Sequence, residues 1–333
     1  MKKGILSLLM FILICGGKLG AQIIYTIAGT GTAGYNGDNI SASGAKLSSP
    51  TAVAVDTAGN IYIADQVNFR IRRITPTGVI TTIAGTGVSG FSGDGGLATL
   101  AKISGAYDLW VDRYGNVYFT DTGNNMIRKI STSGIITRIA GLPGPAGFSG
   151  DGGLATSAKL NFPIGIAVDT AGNVYIGDAN NNRVRKIDVS GIITTYAGTG
   201  VAGAAGDGGF ATSAQLSNNG KMDFDKSGNL YISDNGSRKV RKIDLAGIIS
   251  TVAGNGSGGS TGDGGLATSA SFSYPFAISV DTTGNLFISD YTNKRVRKVN
   301  TSGIFQLMQE PVLLAILVME VRQQQQSLPP QMV

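Results

Sequence analysis

Aspartate carries nearly all the acid–base and metal-binding chemistry that this sequence could support. The 333-residue chain has 21 acidic residues, no histidine and one cysteine, Cys15. Zinc chemistry on histidine is therefore excluded, and so are serine–histidine and cysteine–histidine nucleophiles. Acid–base catalysis by aspartate remains open.

Five residues stand out because they interrupt a repeat described below. At positions where other copies carry small residues, one copy has Asp108 and Trp110, with Tyr107 before them, and another has Lys221 and Asp223. Clustered polar and aromatic groups in a concave surface are the usual description of a binding site. We therefore predict that these five residues bind a ligand at the centre of the fold. The alternative is that the charges are only solvated or paired.

A glycine-rich loop with the sequence Gly-Asp-Gly-Gly suggests a metal site. Ca²⁺ could use the carboxylate and backbone carbonyls, but it takes six to eight oxygen ligands and each loop offers one aspartate. An aspartate that caps its own turn is the simpler interpretation, so no cofactor is expected, with Ca²⁺ at these loops as the alternative. The aspartates are Asp94, Asp151, Asp207 and Asp263, with Asp38 in a Gly-Asp-Asn variant.

All these residues belong to a repeat of 56 or 57 residues. The dipeptide Ala-Gly and two series of aspartates recur with the same steps, so five units begin near Pro50, Ala106, Pro163, Asn219 and Pro275. The dipeptide begins at Ala28, Ala84, Ala140, Ala197 and Ala253, and the aspartates are Asp56, Asp112, Asp169, Asp225, Asp281 and Asp65, Asp121, Asp178, Asp234, Asp290.

One unit divides into four short apolar segments separated by turn residues. In the third copy Gly172-Asn173 suits a hairpin that needs positive φ, and Gly191 marks another turn. Arg183–Ile187 alternates basic and apolar residues, which is the period of a strand, and no stretch has a helical period. Four antiparallel strands per unit predict an all-β fold, a β-propeller of four-stranded blades.

We expect the repeated charged residues to be structural. The Asp56 series should close the hairpin after the first strand. The Asp65 series, with asparagines such as Asn68, should tie the loop after the second strand. Pairs such as Arg70 and Arg72 should be solvated on a strand face.

The run DTAGNIYIADQVNFRIRRI from Asp56, with DTTGNLFISDYTNKRVRKV from Asp281, resembles the NHL repeat, a family of propeller blades. The resemblance covers residues 23–303 and extends to bacterial secreted NHL proteins with GFSGDGG loops, as at Gly90–Gly96. It implies the fold and says little of function. Some NHL-like propellers are lyases that use histidine at the ring centre, and this chain lacks that residue.

The first residues have the layout of a secretory signal peptide. Lys2-Lys3 is followed by the apolar run Ile5–Cys15 and by a small-residue cleavage site at Gly20-Ala21. The run is too short to span a membrane. We therefore expect a signal peptide at 1–21, a secreted or cell-surface propeller at 22–303 and no membrane span, with lipidation of Cys15 as the alternative to cleavage.

The net charge of +6 does not by itself indicate a nucleic-acid partner. The basic residues form mostly one set per repeat, as on solvated strand edges that resist aggregation, and a secreted protein rarely meets nucleic acid.

Composition changes abruptly after Ile304. No glutamate precedes Glu310 and no glycine follows Gly303. Back-translation of Met308–Leu314 in a shifted frame gives Ala-Gly-Thr-Gly-Val, the repeat's own sequence. We interpret 304–333 as a frame-shifted tail on a propeller truncated from six blades. The alternative is a short membrane or partner-binding segment.

The amino-terminal end matches only the fourth strand of a unit. Propeller rings often close by pairing a terminal strand with the blade from the other end. We therefore expect Ile23–Ala28 to pair beside Arg295–Val299 and so to close a ring of five blades.

These observations favour a non-catalytic secreted or cell-surface module that binds an extracellular protein, peptide or glycan. The alternative is a propeller hydrolase or lyase that uses Asp108 and Asp223 near the central channel. RNA binding, as in some NHL domains, is disfavoured by secretion.

Overall fold

Alternating apolar residues and closely spaced turns fold the chain into short antiparallel strands. The computed structural model describes residues 25–309, and within them the only helical elements are 3-10 turns of three residues. The strands form five sheets in which neighbours along the chain pair in order, so each sheet is a blade. This confirms the predicted all-β propeller and the five unit starts.

The blades are as follows: blade 1 is β2–β5 (Pro50–Val55, Ile61–Asp65, Arg70–Ile74, Val79–Ala84), with β1 (Ile40–Ser41) added at its outer edge; blade 2 is β6–β9 (Ala106–Val111, Val117–Asp121, Met126–Ile130, Ile136–Ala140); blade 3 is β10–β13 (Pro163–Val168, Val174–Asp178, Arg183–Ile187, Ile193–Ala197); blade 4 is β14–β17 (Asn219–Phe224, Leu230–Asp234, Lys239–Ile243, Ile249–Ala253); blade 5 is β18–β21 (Pro275–Val280, Leu286–Asp290, Arg295–Val299, Phe305–Gln309). The 3-10 turns are Ala42–Gly44, Ala98–Leu100, Thr122–Asn124, Ala155–Ser157, Ala179–Asn181, Ala211–Ser213, Asn235–Ser237 and Ala267–Ser269.

The hairpin between the first and second strands is closed by the aspartate that follows the first strand. In blade 3 the carboxylate of Asp169 accepts the backbone N–H groups of Ala171 at 3.0 Å and Asn173 at 2.9 Å. Gly172 has a φ of 93°, which glycine adopts without strain. The hairpin role is confirmed for Asp56, Asp112, Asp169, Asp225 and Asp281.

One arginine on the third strand of every blade is completely buried. In blade 2 the guanidinium of Arg128 donates to Asp94 in the glycine-rich loop that enters the blade, through Nε at 3.2 Å and Nη2 at 2.8 Å. Its Nη1 lies 3.5 Å from the carboxylate of Asp121, at the end of the second strand. One guanidinium thus fixes the entering loop to the blade. The five arginines are Arg72, Arg128, Arg185, Arg241 and Arg297.

The second carboxylate of this cluster also holds the entering loop. Asp121 accepts the backbone N–H of Ser104 at 2.6 Å and the side-chain amide of Asn124 at 2.9 Å. Burial raises the pKa of Asp121, Asp178 and Asp234 to about 6, while the hydrogen bonds and the arginine act in the opposite direction. The predicted tie of this aspartate to the loop after the second strand is confirmed.

Two expectations about these repeated charges are wrong. Arg72 is not solvated on a strand face but buried: its Nη2 donates to Asp38 and to the carbonyl of Gly37, and its Nη1 lies 3.6 Å from the carboxylate of Asp65 without a hydrogen bond. The carboxylates of the glycine-rich loops do not cap their own turns. They accept hydrogen bonds from the arginine and, in blades 3 and 4, from Thr195 and Thr251. The arginine guanidinium is thus the cation that these carboxylates bind in the structure.

The predicted ring closure is also wrong. Phe305–Gln309 forms the fourth strand of blade 5, with Phe305 opposite Val299 and fully buried. The turn at Gly303 places this segment directly beside the third strand. Strand pairing uses backbone hydrogen bonds, so it does not depend on the change in amino-acid composition after Ile304. Ile23 and Ile24 lie outside the described residues, and Tyr25–Ala28 forms no strand. The expected signal peptide and most of the tail also lie outside the described residues.

The innermost strands of consecutive blades pack side by side from blade 1 to blade 5. Within residues 25–309 the innermost strands of blades 1 and 5 do not pack in this way. Val296 lies on the face of blade 5 that points away from blade 4, and it is only half-buried. Its equivalents in the other four blades are fully buried, namely Ile71, Ile127, Val184 and Val240. The described blades therefore form an arc that is open between the first and the last.

Removing one buried arginine should destabilise the propeller severely. We expect Arg185→Met to lower the free energy of unfolding by about 3–5 kcal/mol, because Asp178 then stays buried without its cation. Urea unfolding followed by circular dichroism measures the change. Lys226→Met, which removes the same charge from an exposed hairpin, is the control and should cost less than about 0.5 kcal/mol. Equal stability of the two variants would show that the arginine is dispensable.

Candidate functional site

The centre of the propeller is held by an ion pair between blades 2 and 4. The Nζ atom of Lys221 lies 3.3 Å from Oδ1 of Asp108 and donates a hydrogen bond to the backbone carbonyl of Thr51 at 2.7 Å. The same ammonium lies 5.6 Å from the ring centroid of Phe276. Oδ2 of Asp108 accepts the backbone N–H of Ile166 at 2.9 Å. Through these contacts the pair touches all five blades.

This pair is buried, with only 1% of the Asp108 side chain and 4% of the Lys221 side chain exposed. Asp108 and Lys221 are each the third residue of an innermost strand, and the side chain at this position faces the next blade. The equivalent residues are small in blades 1, 3 and 5, namely Ala52, Gly165 and Ala277. The small residues leave the space that the long lysine side chain fills.

Asp223 and Trp110 lie elsewhere on the innermost strands. Oδ2 of Asp223 accepts the backbone N–H of Val280 at 2.9 Å and the hydroxyl of Ser279 at 3.3 Å, so this carboxylate joins blades 4 and 5. Trp110 is buried in the apolar core shared by blades 2, 3 and 4. The structure thus brings Asp108 and Lys221 together, while Asp223 and Trp110 join other blade contacts. The ligand-binding role assigned to these residues stays a prediction.

Five aromatic side chains lie at the end of the blades where the innermost strands begin, and one of them, Phe276, contacts the ammonium of Lys221. The ring centroids of Tyr107 and Phe162 are 5.4 Å apart in an edge contact. In blade 5 the ring of Tyr274 lies 6.0 Å from Phe276 and 6.4 Å from Tyr291, and Phe276 lies 5.9 Å from Tyr291. We call these five residues the aromatic mouth.

The mouth combines accessible rings with neutral polar groups. Phe162 is 37% exposed and Tyr291 59% exposed, while the other three rings are half-buried. The side-chain amide of Asn235 donates to the hydroxyl of Tyr274 at 3.4 Å. Burial raises the pKa of Tyr274, so its hydroxyl stays protonated at neutral pH and can donate a hydrogen bond. An apolar surface with oriented hydroxyls and amides suits recognition of an uncharged ligand surface.

Sequence reasoning found Tyr107 and missed the other four residues of the mouth. The signal was present, since the residue before the innermost strand is Ser49 in blade 1 and Gly105 in blade 2 but Phe162 and Tyr274 in blades 3 and 5. Comparing the residue before the innermost strand among the copies reveals Phe162 and Tyr274, while Phe276 lies within that strand and Tyr291 after the second strand.

Comparison with protein families gives one matching model, described as the Teneurin NHL domain, over residues 30–90 and 140–203. Mouse teneurin-4 is 27% identical over 294 residues, which is 75% of this chain and 10% of the teneurin. Mouse teneurin-1 is 30% identical over 232 residues, 62% of this chain and 8% of the teneurin. The chain therefore spans about a tenth of the length of these relatives.

Solved structures share the fold. A protein of unknown function from Bacteroides thetaiotaomicron has a TM-score of 0.60 at 20% identity, covering 86% of this chain and 64% of that one. A streptogramin B lyase has a TM-score of 0.54 at 17% identity, covering 83% and 73%. A virginiamycin B lyase from Staphylococcus aureus, catalytically inactive through a histidine-to-alanine replacement, has a TM-score of 0.50 at 16% identity, covering 81% and 85%. The family match and the fold support an NHL-type propeller.

No helix in the described part of the chain is long and apolar enough to cross a membrane.

The central ion pair should couple blades that are far apart in sequence. We expect Lys221→Met alone to lower the free energy of unfolding by about 3–5 kcal/mol, because it leaves the carboxylate of Asp108 buried and unpaired. The double variant Asp108→Leu/Lys221→Met should lose less than the sum of the single variants by at least about 1 kcal/mol. Urea unfolding of the four proteins gives the cycle. Additive losses would contradict the pairing.

Proposed function

We propose that this NHL-type propeller is a non-catalytic binding module of the cell exterior that recognises an extracellular protein or peptide through the aromatic mouth. The observation that carries the proposal is the mouth itself, five aromatic residues contributed by blades 2, 3 and 5 at one end of the channel. Tyrosine and other aromatic side chains are enriched at the energetic centres of protein interfaces, since they bury large rigid surfaces at low entropic cost.

The state of the central carboxylates supports binding over catalysis. Asp108 and Asp223 are buried, and their oxygens face backbone N–H groups, a serine hydroxyl and the ammonium of Lys221. A general acid or base must reach a proton of the substrate directly or through one water molecule. These carboxylates are engaged in joining blades, and the chain has no histidine to take their place.

An extracellular location is proposed from the amino-terminal sequence alone. Lys2-Lys3 and the apolar run Ile5–Cys15 have the layout of a secretory signal, and the propeller contains no cysteine that would need reduction or oxidation.

Substitution at the mouth should weaken binding selectively. A phage-displayed peptide library selected on the immobilised propeller supplies the probe, and a glycan array run beside it tests the other ligand class. We expect Tyr291→Ala to raise the dissociation constant of the selected peptide about tenfold or more, as for a central interface aromatic. Isothermal titration calorimetry measures it.

Tyr114→Ala is the matched control, because Tyr114 is 66% exposed and lies on a hairpin at the opposite end of the blades. Its dissociation constant should stay within twofold of the wild type. Binding that depends on the mouth but is restricted to glycans would change the proposed class of ligand. Binding that ignores Tyr291, or hydrolysis or elimination lost in Asp108→Asn while its fold is retained, would overturn the proposal.

A further inference from the structure

Blade 4 lacks an aromatic ring that blades 1, 2 and 3 place beneath the arginines of the third strand. Tyr35 in blade 1 lies 3.8 Å from the guanidinium of Arg70, and Phe148 in blade 3 lies 3.9 Å from that of Arg183, both as cation–π contacts. In blade 4 the ring position is Ala204 and the arginine position is Lys239. Both large partners of the contact are therefore replaced by smaller groups.

The replacements leave a cleft of about 460 Å³ between blade 4 and the loop that leads to blade 5. A smaller space of about 220 Å³ in blade 1 is lined by Tyr35 and Arg70, the equivalents of Ala204 and Lys239, but otherwise by different positions of the repeat. The cleft is separate from the aromatic mouth and from the central ion pair. Its lining residues are Gly203, Ala204, Ser217, Gly236, Ser237, Lys239, Asn255, Gly256 and Ser257.

The charge in this cleft is unbalanced. Lys239 is half-buried and its ammonium has no hydrogen bond or ion pair with any residue of the described part of the chain. Arg238 stands beside it, with its guanidinium 3.5 Å from the carbonyl of Gly256. No carboxylate lines the cleft. The nearest repeated aspartates, Asp207 and Asp234, are both bound to Arg241.

Small neutral groups complete the lining. Ser217 contributes a hydroxyl, while the backbone N–H groups of Gly203 and Gly236 already donate to the carbonyls of Leu216 and Ser217. A lysine ammonium without a counter-ion, beside a hydroxyl, attracts oxyanions and repels cations.

We propose that this cleft binds an oxyanion group, either a sulfate or a carboxylate. None of the residues of the aromatic mouth lines this cleft, so an experiment can refute the proposed anion site without refuting the proposed function of the mouth, and the reverse. An ion pair with a half-exposed lysine contributes little binding energy, so a free sulfate or acetate ion should bind weakly. A larger ligand that carries the oxyanion would bind more tightly if it also contacted other parts of the protein surface.

The test is titration with inorganic sulfate and, separately, acetate at constant ionic strength. TROSY spectra of deuterated, ¹⁵N-labelled protein report the backbone amides of Gly203, Gly236 and Gly256. We expect saturable shifts at these amides in the wild type and at least a tenfold increase of the dissociation constant in Lys239→Met. Tighter binding of sulfate would identify a sulfated ligand, and tighter binding of acetate a carboxylate ligand.

Two further variants make the result decisive. Ala204→Phe introduces the ring found in blades 2 and 3 and should abolish the shifts by filling the cleft. Lys226→Met removes an exposed charge from the opposite end of the blade and should keep the dissociation constant within twofold. Non-saturable shifts in the wild type, or equal shifts in Lys239→Met, would overturn the proposal even if Ala204→Phe failed to fold.

Discussion

A buried arginine between two aspartates is the interaction on which every blade depends. The backbone of the glycine-rich loop that enters a blade is hydrogen-bonded to the fourth strand, as from Gly152 to the carbonyl of Ile193 at 2.8 Å, and its aspartate adds a side-chain anchor. The guanidinium of Arg128 or Arg185 binds the aspartate of that loop and faces the aspartate that ends the second strand. Removing a charged group from water is costly, and burial accordingly raises the pKa of Asp178. In each of the five blades the buried arginine therefore fixes the position of the entering loop more than it adds to the net stability of the fold.

The centre of the molecule is where the repeat stops being symmetric. Asp108 and Lys221 replace small residues on the innermost strands and together contact all five blades. The aromatic mouth and the blade 4 cleft also lie at positions where the copies differ from one another. A repeat that is identical in every copy can build a scaffold, but a specific site needs a difference between copies.

Sequence alone predicted the strands and hairpins because their determinants are local. Alternation over Arg183–Ile187 and the positive φ of Gly172 each require only near neighbours. The burial of Arg72 could not be predicted in this way, since its partner Asp38 is supplied by a loop that precedes the whole blade. Comparing copies identified Asp108 and Lys221 as unusual, but not that they meet across the ring. The fourth strand of blade 5 could not be predicted from composition, which changes abruptly after Ile304. Strand pairing uses the backbone and continues through this change.

The central claim is that the entering loop and its blade form one cooperative unit through the buried arginine. Native-state hydrogen exchange tests it at the amides of Ser104, Asn161 and Ser217, which donate to the buried aspartates from the entering loops. If the claim is correct, these amides exchange as slowly as the strand amides of their own blades, because both open only when the blade opens. Exchange as fast as that of Ala171, an exposed hairpin amide, would contradict it.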